Sequence, residues 1–400
     1  MQQGWRERIE AIFPQMVRWR RDFHQYPELS FQEERTAKIV ADWLKQCGLQ
    51  VRTGVGGNGV VAVLEGGSTG PTIALRADMD ALPIYDEKSC AYRSQVPGVM
   101  HACGHDAHTA TLMGVASLLA EKRKEIAGRV VFIFQHAEEQ IPGGAAAMIA
   151  DGALDGVDAI YGVHLWTPLP RGVVGLREGP LMAAADSFKL EVVGKGGHGG
   201  LPHEAVDAVA IASHVVVNLQ TIIGRQVDPL KSGVISVGRI EGGRAFNVIA
   251  ERCELEGTVR SFDPQLRNRL YERIEEVATQ TCRMFGADCR LEYGWGYPAV
   301  VNDPMETQRL AQVARMVLGD EQVWEVPEIM AAEDFAYYLQ KKPGAFCLVG
   351  AGNQEKGFSH PHHHPLFDLD EEAMKASAEV LIESALAYLH ANRNPLLSKS

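Results

Sequence analysis

Arg129-Val130-Val131-Phe132-Ile133-Phe134-Gln135-His136-Ala137-Glu138-Glu139 decides how the rest of this chain reads. Val130 to Phe134 is a continuous apolar run without polar alternation. That is the pattern of a central strand covered on both faces, as in a largely parallel sheet. The run ends on two adjacent carboxylates. Carboxylates at a buried strand end are costly unless a metal or a proton compensates them. Neighbours on extended chain face opposite ways, so Glu138 and Glu139 can hold different tasks.

Working outward, the same architecture repeats. Residues 5–24 and 32–47 have the spacing of two amphipathic helices, broken apart by Pro27. Gly59-Val60-Val61-Ala62-Val63-Leu64 and Thr72-Ile73-Ala74-Leu75 read as strands, separated by the turn Gly66-Gly67-Ser68-Thr69-Gly70-Pro71. The second strand runs into Arg76-Ala77-Asp78-Met79-Asp80-Ala81-Leu82-Pro83. Taken alone, Asp78 and Asp80 read as a solvated strand end. A helix is expected from Thr109 to Lys124, with Leu112, Val115, Ala116 and Leu119 on one stripe. The strand Ala159 to Val163 places His164 at its end. Alternating buried strands and helices predict an α/β domain with a mixed, mostly parallel sheet and helices on both faces. Such sheets carry their sites at strand ends, where the candidate residues gather.

Two further motifs carry chemistry. Met100-His101-Ala102-Cys103-Gly104-His105-Asp106-Ala107-His108 concentrates thiol, imidazole and carboxylate. If locally extended, it points Cys103 and His105 to one face, which is half of a tetrahedral zinc-type site. The bland reading is a loop with a buried cysteine and surface histidines. Ser359-His360-Pro361-His362-His363-His364-Pro365-Leu366-Phe367 could be an incidental histidine tract. It follows a strand expected at 345–349 and precedes a helix expected at 371–390, so a ligand among its histidines is the preferred reading.

From Asp186 the pattern changes. Strands at 187–193, 233–240, 253–260 and 288–293 and helices at 205–223 and 264–285 give the order β-α-β-β-α-β of a ferredoxin-like module. The expected organisation is a metal-binding catalytic domain, 1–185 and 296–400, with an inserted lid or dimerisation domain, 186–295. Further helices are expected at 304–318 and 333–339, and fraying from Asn392 to Ser400.

Composition narrows the class. A chain of 400 residues favours two domains. Net charge −12 gives a nucleic-acid role no electrostatic support. Apolar runs such as Val130–Phe134 are far too short for a bilayer, and the N-terminus lacks a signal-peptide core. Seven scattered cysteines form no disulfide framework. A reducing cytoplasm is the expected location, where Cys103 can remain a thiolate ligand.

Arg76–Pro83, Met100–His108, the Glu138-Glu139 pair, Gly162-Val163-His164, Gly196-Gly197-His198-Gly199-Gly200 and His363-His364-Pro365-Leu366-Phe367 together resemble the aminoacylase/carboxypeptidase family of metal-dependent amidohydrolases. The branch concerned holds hippurate hydrolase, N-acyl-L-amino acid amidohydrolases and auxin-conjugate hydrolases. The likeness runs in order over almost the whole chain. It implies two divalent ions per subunit, zinc by the donor set, with manganese, cobalt or nickel as alternatives. Cys103 would take the bridging place, His105 and His164 one ion each, with Glu139 and His363 completing the set. His362 and His364 are the competitors of His363. Glu138 would be the general base. Asp80 would accept a hydrogen bond from a ligating imidazole and fix its tautomer, while His101 and His108 would support the site. His198, with His203 as competitor, would donate to the oxyanion from the partner subunit of a homodimer. Asn247 and Arg260 match positions that hold the substrate carboxylate. The Glu333-Asp334-Phe335 pattern carries no assigned role. Two departures stand out: His136 replaces a common proline, and the histidine tract is unusually dense. The implied substrate is a small N-acyl-L-amino acid. A small-peptide carboxypeptidase and a deacetylase of an N-acetylated diamino acid are the near alternatives, and a non-catalytic metal-dependent binding protein the remote one.

Overall fold

A computed structural model describes residues 2–392, so the fraying expected for 393–400 falls outside the described residues. The chain divides into two compact units. One comprises Met1–Leu181, Val301–Pro327 and Asp334–Ser400, the other Met182–Val300 and Glu328–Glu333.

In the first unit the elements are α1 (Gln2–Gln25), α2 (Glu34–Gln46), β1 (Gln50–Val55), β2 (Gly59–Glu65), β3 (Ser68–Asp78), α3 (His105–Glu121), β4 (Ala127–Gln135), α4 (Ala145–Ala150), β5 (Ala159–Pro170) and β6 (Val174–Leu176). The short strand β7 (Gly179–Met182) leads out of the unit. After the second unit and the short strand β14 (Val300–Asn302) come α7 (Pro304–Leu318), β15 (Val323–Glu325), α8 (Ala336–Leu339), β16 (Gly344–Gly352) and α9 (Ala373–Ala391). Eight strands form one sheet in the order β1-β2-β4-β3-β5-β16-β6-β15. Its centre, β4-β3-β5-β16, is parallel throughout. Antiparallel pairs flank that centre, β1-β2-β4 on one side and β16-β6 on the other. This is the mixed, mostly parallel sheet that the apolar runs imply.

Three local differences from the expected pattern have physical reasons. The exposed edge strand β1 has no apolar alternation to announce it. Helix α3 begins at His105 rather than Thr109, and it is buried on every side from His105 to Ala120. Its apolar stripe is therefore only part of what packs. His164 lies inside β5 rather than at its end, because the ladder with β16 continues past it, with His164 opposite Leu348 and Leu165 opposite Val349.

The second unit contains β8 (Ala184–Val193), β9 (Gly197–His198), α5 (Ala208–Gln226), β10 (Gly233–Gly242), β11 (Val248–Ile249), β12 (Arg252–Ser261), α6 (Pro264–Met284) and β13 (Asp288–Gly294). Its antiparallel sheet runs β10-β12-β8-β13. Both helices start where an aspartate accepts the first free N–H groups: Asp207 from Val209 and Ala210, Asp263 from Gln265 and Leu266. Leu190, Val192, Ile211, Val215, Leu219, Leu255, Leu270 and Ile274 meet in its core. By length and composition α5 could cross a membrane. Its Ile211, Val215, Leu219 and Ile222 are instead buried in this core.

Candidate metal centre

The carboxyl ends of β3 and β4, the middle of β5, the start of α3 and the 360–367 loop bring the candidate ligands together. Cys103 precedes α3 by two residues. Gly104 between Cys103 and His105 adopts φ +91, a conformation glycine takes without cost. The segment is thus sharply turned rather than extended, yet Cys103, His105 and His164 place one ligand atom each within 4.8 Å of one another. Cys103, Glu139 and His363 form a second such group, and His105, Glu138 and Glu139 a third. Cys103, His105 and Glu139 each belong to two of the three.

Hydrogen bonds settle which ring atom each histidine offers. His164 Nδ1 donates to the Leu165 carbonyl at 2.9 Å, leaving Nε2 3.4 Å from Cys103 Sγ. His105 Nδ1 donates to the carbonyl and Oδ1 of Asp80, at 3.0 and 3.2 Å. Its Nε2 is buried without a hydrogen-bond partner, as is Glu139 Oε1, 3.8 Å away. The other oxygen of Asp80 accepts from Ser30 Oγ (2.6 Å) and from the Glu139 backbone N–H (2.9 Å). Asp80 therefore ties the His105 ring to the Glu139 loop.

The three histidines of the tract separate cleanly. His363 Nε2 stands 3.3 Å from Glu139 Oε1. Its own backbone is held in the left-handed region (φ +65) by donation from its N–H to the Ala102 carbonyl. His362 is half-buried, stacked on Trp166, with Nε2 accepting from the Thr167 N–H. His364 accepts from the Leu366 N–H and stacks on His360. His108 has no free ring nitrogen, for Nδ1 meets Asp78 Oδ1 at 2.7 Å and Nε2 accepts from the Leu165 N–H. His101 is buried, and burial drives its pKa down to about 3, so it is neutral.

The electrostatics ask for a cation. Burial, then the carboxylates of Glu139, Glu138 and Asp78, push the Cys103 thiol well above its usual range. Burial opposes charge on His105, but Asp78, Asp80 and Glu139 outweigh it and lift the imidazole to about 10. Protons thus compensate an excess of acid here, and a metal ion displaces such protons. Ligand atoms around a tetrahedral ion with bonds of about 2.1 Å stand about 3.4 Å apart. The 3.3, 3.4 and 3.8 Å separations match that spacing. Donor chemistry, spacing and the orphaned, buried Nε2 of His105 all fit divalent metal.

Beneath the cluster, Arg76 donates to Asp78 (2.6 Å), Gln135 (3.0 Å) and Asp334 (2.9 Å). Asp334 also accepts from the Ala145 N–H. Burial raises the Asp334 carboxyl to about 6, against the pull of Arg76. This gives Asp334 of the unassigned 333–335 pattern a supporting place under β4.

His198, Asn247 and Arg260 belong to the second unit. His198 on β9 pairs with Val248 on β11, and the Gly199 N–H donates to the Asn247 carbonyl, so His198 and Asn247 lie on adjoining loops. His198 is exposed; its Nδ1 accepts from the Gly200 N–H, which leaves Nε2 as the donor. His203 is exposed beside Glu204. Arg260 is half-buried, which lowers its pKa, and donates to Thr258 and to the Val259 carbonyl.

Sequence reading missed Ser30 and Glu33. Ser30-Phe31-Gln32-Glu33 has the spacing of a capping box in front of α2, which would assign both residues to the helix. In the structure Glu28 accepts the Arg35 and Thr36 N–H groups instead. Ser30 turns to Asp80 and Glu33 to the Ala137 N–H.

Comparison with known proteins agrees with this geometry. The family model for Peptidase family M20/M25/M40 matches residues 74–387. An N-acyl-L-amino acid amidohydrolase of Geobacillus stearothermophilus is 45% identical over 294 residues, 74% of this chain and 80% of that protein. Thermostable carboxypeptidase 1 of Saccharolobus solfataricus is 39% identical over 388 residues, 96% of this chain and 98% of its own. Among solved structures, a Bacillus subtilis protein described as a dinuclear metal binding peptidase superposes with a TM-score of 0.83. It is 36% identical, and the match covers 95% of this chain and 99% of that one.

Proposed function

The chain belongs to Peptidase family M20/M25/M40 and is a hydrolase; from that premise we propose that it cleaves the amide bond of N-acyl-L-amino acids, releasing a carboxylic acid and a free amino acid. The observation that carries this reading is the overlap of three ligand groups through Cys103, His105 and Glu139, with Glu138 in one of them. In this reading Cys103 would be shared between the two ions, His105 and His164 would hold one each, and Glu139 and His363 would complete the set. Zinc suits a thiolate and imidazole set.

When bound, a pair of divalent ions supplies Lewis acidity for the scissile carbonyl and acidifies water. Glu138 takes the proton of the attacking water and returns it to the departing amine nitrogen as the C–N bond breaks. Asp80 holds the His105 ring and the Glu139 backbone in place throughout. His198, with its Nε2–H free to donate, is our candidate for stabilising the oxyanion. Asn247 and Arg260 are our candidates for gripping the substrate carboxylate, Arg260 through its planar fork.

The protein is expected to release methionine from N-acetylmethionine or glycine from hippurate. A chelator should abolish that release and zinc should restore it. A protein that binds metal yet liberates no amine across an acyl-amino-acid panel would overturn the proposal. The name of the Saccharolobus relative favours one second reading, a small-peptide carboxypeptidase. Faster cleavage of unblocked dipeptides than of acylated amino acids would select it. We place the enzyme in a reducing cytoplasm, in keeping with seven free cysteines.

We also propose a homodimer formed through the second unit. Strand β10 is a sheet edge, and Ile240 on it and Val209 and Val217 on α5 are exposed. An unpaired edge beside apolar side chains is a self-association surface. Sedimentation at micromolar concentration checks it: a monomer would refute this arrangement.

A further inference from the structure

We propose that Glu33 is a positioning residue for the Glu138-Glu139 pair, acting by clamping the backbone of Ala137. The inference rests on the metal-centre reading above and concerns a residue outside the stretch that the family model matches.

Ala137 sits immediately before the two carboxylates and has φ +52. The left-handed region is unfavourable for alanine, because Cβ crowds the carbonyl oxygen. A non-glycine residue stays there only where its surroundings over-determine it. Two hydrogen bonds do so. The Ala137 N–H donates to Glu33 Oε1 at 2.8 Å, and the Ala137 carbonyl accepts from the Gly144 N–H at 3.0 Å. The turn at Ala137 is what carries the chain from the end of β4 into Glu138 and Glu139. A relaxed Ala137 would re-aim both.

Glu33 is itself fixed. It is fully buried, and the same Oε1 accepts from the Phe31 N–H (3.0 Å), another residue with positive φ (+68). Its Oε2 accepts from Asn58 Nδ2 at 3.2 Å. Ser30, three residues earlier, holds Asp80, which in turn holds the Glu139 N–H. The segment between α1 and α2 thus grips the carboxylate loop from both ends. Burial, and then the charge of Asp80, lift the Glu33 carboxyl to about 7. Accepting an N–H does not require the negative charge, so glutamine is the conservative substitute.

The test compares Glu33→Ala, Glu33→Gln and the double variant Glu33→Ala/Ala137→Gly. Zinc affinity of the apoprotein is read by competition with a chromogenic chelator, alongside kcat and KM on N-acetylmethionine. Loss of a group that orients ligands costs about 10–100-fold in metal affinity or activity. Glu33→Ala should lose that much in zinc affinity and in kcat, with KM changed less than threefold. Glu33→Gln should stay within about threefold of the parent. Glycine adopts positive φ without strain, so the double variant should regain part of the lost kcat and affinity. If Glu33→Ala does not fold, Glu33→Asp, one methylene short of Ala137, replaces it with the same expectations. Parental affinity and kcat in Glu33→Ala, whatever happens to Tm, would overturn the inference, as would Glu33→Gln failing as badly as alanine. A parent that binds zinc but releases no methionine would instead sink the proposed hydrolase activity, and the affinity comparison would still decide Glu33.

Discussion

Two polar nests lie side by side at the first turn of α3, reached by consecutive residues. Asp106 enters one and His105 the other. In the first, Arg20 is fully buried and donates to Asp106 (3.0 Å), Asp368 (2.6 Å) and Glu371 (3.1 Å), with Tyr92 under its guanidinium. His24 meets Asp106 and Asp86, Lys88 meets His24 and Asp368, and Tyr92 donates to Asp368. Each of these carboxylates has a cation, a ring or a hydroxyl to answer it. In the second nest, acids outnumber cations, and His105 Nε2 is left without a hydrogen bond, 3.8 Å from Glu139 Oε1. Both are buried, and both are costly to assemble. The closed nest spends its groups on holding α1, α3 and the 368–371 segment together. The open nest leaves its valences for an ion.

That contrast predicts opposite mutational signatures. In the open nest, Glu138→Ala should lower kcat by about 10²–10⁴-fold, the usual worth of a general base. Its zinc content and Tm should match the parent. Loss of zinc in this variant would mean that Glu138 and Glu139 have exchanged roles. In the closed nest, Arg20→Met should take from Asp106, Asp368 and Glu371 the buried cation they share and cost about 3–5 kcal/mol of stability, read by urea denaturation. The kcat of the remaining folded fraction should be unchanged. An Arg20 variant that kept its stability and lost turnover would erase the distinction between the two nests.

The sequence disclosed the open nest far better than the closed one. Cys103, His105, Glu138, Glu139 and His164 announce themselves because residue types able to hold a metal are concentrated in short motifs. Arg20 and His24 sit within a charged amphipathic helix, where nothing in the spacing separates a buried arginine from a solvated one. Their partners are up to 351 residues away in the chain, as Arg20 and Glu371 are. The central strands and the β-α-β-β-α-β order were legible for the same reason, since apolar periodicity reports burial directly. The edge strand β1 and the start of α3 were not, because one is polar and the other begins on chemistry-bearing residues. Ser30 and Glu33 carried a local pattern that pointed to a helix cap, and tertiary contacts overrode it.

Within the open nest, His363 and His362 sharpen the contrast at close range. His363→Ala should weaken zinc at least 10-fold, as expected when a group around a metal is removed, and leave Tm of the apoprotein within a few degrees. His362→Ala should do the reverse. It removes a ring stacked on Trp166 at 4.4 Å and set edge-on to His164 at 5.1 Å, so the apoprotein should melt lower while zinc affinity changes little. Matching zinc losses in both variants would mean that the tract binds as a unit.

The smallest effect concerns acid, and it belongs to the closed nest. Burial works to raise the carboxyls there, but their partners prevail. Hydrogen bonds from His24 and the Ser94 N–H and the charge of Lys88 hold Asp86 down to about 2, and the Arg20 guanidinium keeps Asp106 and Asp368 below the ordinary carboxylate range. An unfolded aspartate titrates near 3.9, so between that value and the folded ones the unfolded chain binds more protons. The contribution of these carboxylates is therefore complete above about pH 4 and is lost as the pH falls towards 2. Because metal ligands also take up protons in acid, the measurement uses the apoprotein, with Tm followed from pH 7 to pH 3. Buried His101, neutral in the fold, must charge as the chain unfolds in acid, so some loss begins below about pH 6.5 in parent and variant alike. The fall that belongs to this nest is the further one below about pH 4. In Arg20→Met the fall should be shallower, since Asp106 and Asp368 lose the charge that does most to hold their carboxyls down. Parallel curves for parent and Arg20→Met below pH 4 would show that this nest carries none of the acid sensitivity.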